Sequence, residues 1–209
     1  MILLALLLSY LIGSLPTAYI AGRVLKGIDI RQHGSGNVGA TNTFRVLGKK
    51  AGLVVLGIDI LKGIIPVTFI ADRVDPANLG LRIILGLIAI LGHNWTIFLN
   101  FKGGKGMATS LGLLIGLCLV RPSLGPVLGL CLLAWTLVFL SSGYVSLASI
   151  VAAVAFPLGT GLSGQPVELT SLSALICLLV VIRHRSNIRR LLQGQENRVS
   201  LPYFPQKRS

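Results

Sequence analysis

The chain has 209 residues, of which 53% are hydrophobic, a formal net charge of +13 and a mean hydropathy of +0.82. That much apolar length excludes an ordinary soluble domain and marks an integral membrane protein. The positive residues lie in loops and tail between apolar runs, which points to lipid headgroups and anionic substrates and away from nucleic acid. In chain order, the hydropathy predicts apolar helices at 1–22, 51–71, 80–101, 107–120, 125–141, 145–162 and 169–183. The expected fold is therefore all-α, a polytopic membrane protein with seven transmembrane helices.

The first segment has no basic residue ahead of its apolar run, and Arg23 and Lys26 follow it. This pattern reads as an uncleaved span with the N-terminus outside rather than a signal peptide. Alternation then gives the cytoplasm Arg23, Lys26, Arg31, Arg45, Lys49, Lys50, Lys102, Lys105 and the seven basic residues from Arg183 to Arg208, with the C-terminus on the same side. Only Arg73, Arg82 and Arg121 fall to the outer loops and their edges, in agreement with the positive-inside rule. Segments 107–120 and 169–183 are short: 14 or 15 residues make about 21 Å of helix against about 30 Å of hydrocarbon. Polar stretches beside them, 101–106 and 183–187, are expected to dip toward the bilayer.

Residues 34–45, GSGNVGATNTFR, form a polar loop in an apolar chain. Gly34, Gly36 and Gly39 permit positive φ, so backbone N–H groups can converge on an anion. Ser35, Asn37, Thr41 and Asn42 add neutral donors, and Arg45 adds a planar fork suited to phosphate. A solvated turn with Ser35 as a helix cap is the alternative. The second stretch, GHNWTIFLNFKGGKG at 92–106, sets Lys102 and Lys105 around two glycines whose amides can also face an anion. It is not a P-loop, since Gly106 and Met107 follow Lys105. Lys102 equally suits a headgroup anchor, and His93 and Asn94 suit structural hydrogen bonds.

Two further clusters follow. In GYVSLASI at 143–150, Ser146 and Ser149 share a helix face and suit either helix packing or a ligand. In RHRSNIRRLL at 183–192, His184 and Asn187 are expected on one helical face amid four arginines, a pattern that a basic interfacial helix also explains. Asp59 and Lys62 stand three apart inside the second apolar run and are expected to pair with one another. Cys118, Cys131 and Cys177 lie in apolar runs without ligand spacing and read as small hydrophobes. No Ser/His/Asp arrangement is apparent, no two histidines have metal spacing, and no histidine has an aspartate five positions on.

Taken in order, SGNVGATNTFR, GHNW with FKGGKG, YVSLASI and RHRSNIRRL resemble the bacterial acyl-phosphate:glycerol-3-phosphate acyltransferases, the PlsY family. The resemblance runs to about Glu196, which implies one membrane domain over 1–196 and leaves the basic tail 197–209 without a role. It implies a multi-pass enzyme of the bacterial plasma (inner) membrane with its active site facing the cytoplasm. The implied reaction moves a fatty acyl group from acyl phosphate to the 1-hydroxyl of glycerol 3-phosphate, giving lysophosphatidate and phosphate as the first step of phospholipid biosynthesis. Carried over by motif, Ser35, Gly36, Asn37, Thr41 and Asn42 look like the phosphate-binding loop. Arg45 and Lys105 look like the cations on the substrate phosphates, and Ser149, His184 and Asn187 like a polar wall around glycerol phosphate. An upstream enzyme that makes acyl phosphate is also implied.

The chemistry is consistent with that inventory. An acyl phosphate is a mixed anhydride with a good leaving group, so no covalent nucleophile, metal or cofactor is required. Catalysis would rest on gathering two phosphates and stabilising the departing one. The resemblance implies that a substrate phosphate oxygen takes the hydroxyl proton in preference to His184 as base. Acyl-CoA or acyl-carrier protein as donor is the nearest alternative. A transporter for organic phosphates is a more distant one, because the polar groups cluster at one end of the spans and not at the midplane.

Overall fold

In the computed structural model, which describes residues 1–199, every regular element is a helix. The chain divides into two compact units, one from Met1 to Pro122 and a second from Ser123 onward. The part of the predicted 197–209 tail from Ser200 on lies outside the described residues.

The first unit begins with α1 (Ile2–Ser14) and α2 (Thr17–Lys26), which meet at a 41° bend. Pro16 lacks an N–H and holds Leu15 in an extended conformation, so the single span expected over 1–22 is broken here. The break frees backbone carbonyls, and side chains from elsewhere in the unit supply donors for them. The Lys62 ammonium donates to the Leu15 carbonyl at 2.6 Å, and the Thr96 hydroxyl donates to that of Ser14. Next come α3 (Ala40–Leu47) and α4 (Lys49–Ile65), the latter continuing through a wide turn at Pro66–Ile70 into α5 (Ala71–Val74). The Arg82 guanidinium is buried; it donates to the Val67 carbonyl at 2.6 Å and pairs with Asp72. Proline-induced widening of the helix leaves such carbonyls in need of a donor.

The unit closes with α6 (Leu79–Asn94) and α7 (Met107–Val120). Helix α1 packs on α6 and α4 on α7, both at close range. A side chain on Gly13 would collide with the Ala89 carbonyl, and one on Gly112 with that of Ile60. Small residues at helix crossings are how apolar helices gain contact where lipid removes the hydrophobic drive between them.

The second unit holds α8 (Gly125–Ser142), α9 (Val145–Leu162), α10 (Val167–Arg183) and α11 (Arg185–Leu192), with α9 packed against the other three. Thr160 and Ser173 bridge α9 and α10 by a 2.9 Å hydroxyl contact. Between α10 and α11 the chain bends by 59°.

Each of the seven apolar segments coincides with helix in the structure. Among the described residues four helical runs are long and apolar enough to cross a membrane, or six when each bent pair is taken as one span. Helix α7, with 14 residues, is shorter than that.

Candidate active site

In the first unit the 34–45 stretch is a folded loop followed by α3. A short helical turn at Ile30–Gln32 leads in, capped by the Asp29 carboxylate. Buried Val38 anchors the loop in a cluster with Ala18, Ile30, Val55 and Leu99. Asn42, fully buried on α3, ties the loop from below: its Oδ1 accepts from the Ser35 amide at 2.9 Å, and its Nδ2 donates to the carbonyls of His33 (3.0 Å) and Ile30 (3.3 Å). The side-chain amide of Asn42 thus serves the loop backbone. Gly34 and Gly36 have φ of 61° and 70°, where a side chain is strained, and a Cβ on Gly36 would lie 2.9 Å from the Arg31 carbonyl. Gly39 does not use that freedom. It is extended and stands at the start of α3, whose N-cap makes no side-chain hydrogen bond, so first-turn amides there are without intrahelical partners.

Ser35, Thr41 and Arg45 are exposed, and Asn37 lies half-buried over Gly39. Thr41 and Arg45 stand one turn apart on the same face of α3. Three of the neighbouring cations are occupied. Arg31 pairs with Asp29 at 2.7 Å, Arg23 and Arg31 stack on the Tyr19 ring, and Lys26 donates to the Val46 carbonyl at 2.8 Å. The Arg31 hydrogen bond holds the Asp29 carboxyl down at about 2. Arg45, by contrast, makes no hydrogen bond or ion pair among the described residues.

The 92–106 stretch turns back on itself. Asn100 and Phe101 both take left-handed backbone, with φ of 51° and 59°, a costly conformation for residues with side chains. The chain then returns along the end of α6, where the Gly103 amide donates to the Asn94 carbonyl at 3.1 Å and the Gly104 amide to that of His93 at 3.0 Å. This corrects the expectation that those amides face an anion, because the last carbonyls of α6 need donors and take them. Side chains on either glycine would strike His93. Lys102 is exposed, while Lys105 is partly buried just ahead of α7. Asn94 departs from its expected role: its backbone carbonyl is bonded, while its fully buried side-chain amide finds no hydrogen-bond partner among the described residues.

The remaining named residues belong to the second unit. Ser149 is buried on α9, where its Oγ receives the Trp135 indole N–H at 3.4 Å. His184 is not on a helical face with Asn187 as expected; it sits at the break between α10 and α11, with Nδ1 2.8 Å from the Val180 carbonyl. That contact puts the proton on Nδ1 and makes Nε2 the basic nitrogen. Asn187 is buried on α11 and donates to Glu196 Oε1 at 2.6 Å.

Glu196 is a residue that sequence reasoning passed over. Its carboxylate also accepts from Ser146 at 2.9 Å and Arg190 at 2.7 Å. Burial alone would raise its pKa, but the hydrogen bonds from Asn187, Arg190 and Ser146 together hold it below its ordinary value. The available signal was a lone acid between Arg190 and Arg198. Nearby, the Val199 amide donates to the Gly143 carbonyl at 2.9 Å and Arg198 to that of Ser142 at 2.7 Å.

Several long apolar helices joined by polar, glycine-rich loops define an integral membrane protein of the helical class. Comparison with known proteins narrows this. The family profile described as glycerol-3-phosphate acyltransferase matches residues 3–194. A glycerol-3-phosphate acyltransferase of Chlorobaculum tepidum is 44% identical over 93% of this chain and 95% of its own. Glycerol-3-phosphate acyltransferase 2 of Moorella thermoacetica is 46% identical over 94% and 97%. Crystal structures of PlsY, an integral membrane glycerol 3-phosphate acyltransferase, in its glycerol 3-phosphate and lysophosphatidic acid forms, are 40% identical; each gives a TM-score of 0.83 over 95% of this chain and 96% or 95% of the other. The chain belongs to the PlsY family of glycerol-3-phosphate acyltransferases.

Proposed function

We propose that the protein transfers a fatty acyl group from acyl phosphate to the 1-hydroxyl of glycerol 3-phosphate, releasing lysophosphatidate and phosphate. The observation that carries this reading is the capture of glycerol 3-phosphate and of lysophosphatidic acid by the 40% identical structure. The enzyme is read as a seven-span protein of the bacterial plasma membrane, N-terminus outside, with the 34–45 and 92–106 loops on the cytoplasmic side. An upstream acyl-phosphate synthase supplies the donor.

Within the first unit, Arg45 and Lys105 are assigned to the substrate phosphates, with Ser35, Gly36, Asn37 and Thr41 as the anion loop. The occupation of Arg23, Lys26 and Arg31 by internal partners supports choosing Arg45 over those three. Asn42 is assigned a supporting role, since its amide is spent on the loop. Within the second unit, Ser149, His184 and Asn187 are assigned to glycerol phosphate. Guanidinium and ammonium groups offset the charge that develops on the departing phosphate. A substrate phosphate oxygen takes the hydroxyl proton, so His184→Ala should impair turnover less than Lys105→Ala or Arg45→Ala. The latter pair should each cost roughly 100- to 1000-fold in kcat/KM.

The test supplies purified protein, in a lipid-like mesophase or detergent, with labelled glycerol 3-phosphate and, in parallel, acyl phosphate, acyl-CoA or acyl-carrier protein. Lysophosphatidate formed with acyl phosphate alone, with stoichiometric phosphate release, is the expected result. Product only with one of the other donors would overturn the donor assignment.

A further inference from the structure

We propose that Asp59 is a positioning residue for Lys105, acting through His93, and that its buried ion pair with Lys62 sets where the 103–106 loop sits. This rests on the assignment of Lys105 to a substrate phosphate made above. Asp59 and Lys62 are 1% and 2% exposed, one turn apart on α4. A single carboxylate oxygen, Oδ1 of Asp59, accepts from the Thr17 hydroxyl at 2.6 Å and from the Lys62 ammonium at 2.6 Å. The ammonium in turn reaches Thr17 Oγ1 at 3.0 Å and the Leu15 carbonyl at 2.6 Å. If the pair served only to close the α1–α2 break, those contacts would suffice.

The same Oδ1 also faces the imidazole of His93, with Nδ1 3.9 Å away. That separation is too long for a direct hydrogen bond, but it sets the Nδ1 edge of the ring toward the buried carboxylate. The opposite edge meets the loop. A methyl group on Gly104 would collide with His93 Nε2, and the His93 carbonyl holds the Gly104 amide at 3.0 Å. His93 is thus set by a buried carboxylate on one side and abuts the residue before Lys105 on the other. Removing the carboxylate leaves the Lys62 ammonium without its counter-charge beside the imidazole, and the ring loses its reference. A displacement of the loop by about 1 Å is enough to cost roughly 100-fold in a reaction that depends on placement.

The experiment uses the full chain in the same mesophase assay, comparing Lys105→Ala, Asp59→Asn, His93→Gln and the Asp59→Asn/His93→Gln double variant for KM toward glycerol 3-phosphate, kcat and thermal midpoint. The expected result is that Lys105→Ala impairs turnover, Asp59→Asn and His93→Gln each raise KM about tenfold or more, and the double variant is no worse than the poorer single one, as residues on one path should behave. If Asp59→Asn does not fold, His93→Gln, which keeps the ion pair intact, decides on its own by its KM. A lowered thermal midpoint with unchanged KM in the folded variants would show a purely structural pair and overturn the proposal, as would multiplicative effects in the double variant. Lys105→Ala with full activity would instead remove the assignment on which the proposal rests, and the proposal with it.

Discussion

Gly34 and Gly36 in the first polar loop take left-handed backbone, whereas Gly103 and Gly104 in the second are pressed against the end of α6, where their amides serve the carbonyls of Asn94 and His93. The first pair bends the chain so that a loop can stand over the start of α3. The second pair lets two backbones touch. Both stretches are glycine-rich and both carry a candidate phosphate cation, yet in one the glycines shape the loop itself and in the other they dock it. Substitutions should therefore fail in different ways.

The largest contrast is expected from Gly104→Ala. Its methyl group has to displace His93 Nε2, so the Lys105 loop moves and kcat/KM should fall roughly 100-fold or more. A near-native rate in the purified variant would break the docking account. Asn42→Ala comes next. It leaves the carbonyls of Ile30 and His33 and the amide of Ser35 without their partner, at a cost of about 1–3 kcal/mol. A lower thermal midpoint together with a higher KM for glycerol 3-phosphate would check it. Gly36→Ala should be milder, at about 1–2 kcal/mol of backbone strain, read as a smaller fall in thermal midpoint.

The smallest effect should come from Glu196→Gln in the second unit, and it has a pH signature. The folded carboxyl titrates below its ordinary value of 4.5, so its contribution to stability is present above that value and is lost as pH falls through the folded pKa. The thermal midpoints of wild type and Glu196→Gln should differ at neutral pH and converge in acid. A gap that stayed constant with pH would place the stabilisation elsewhere.

Much of this architecture is legible in the residues. Apolar runs separated by basic loops mark the helices, because a bilayer demands continuous internal hydrogen bonding over long apolar stretches. The pairing of Asp59 with Lys62 follows from their spacing and from the cost of burying either alone. The break at Pro16 was also visible, but hydropathy averaged over the run conceals it. What could not be read were contacts set by how loops fold back and how elements meet, with no period in the sequence to mark them. Asn42 bonding back to Ser35, the Gly103 and Gly104 amides returning to α6, and Glu196 drawing in Ser146 from 50 positions away depend on how elements meet. His184 lies off the helical face because α10 ends at Arg183, a boundary that the run of basic residues around it does not mark.

The bend between α1 and α2 also implies an order of assembly. A ribosome inserting this chain delivers Leu15 to the bilayer well before Lys62 has been made, so the Leu15 carbonyl at the bend has at first only the nearby Thr17 amide as a donor. Until α4 arrives, the second lone pair of that carbonyl has no donor in lipid, and the bend is held by its local bond alone. The arrival of α4 then brings the charged pair to the bend, so α1 and α2 reach their final arrangement only after a helix made later has joined them.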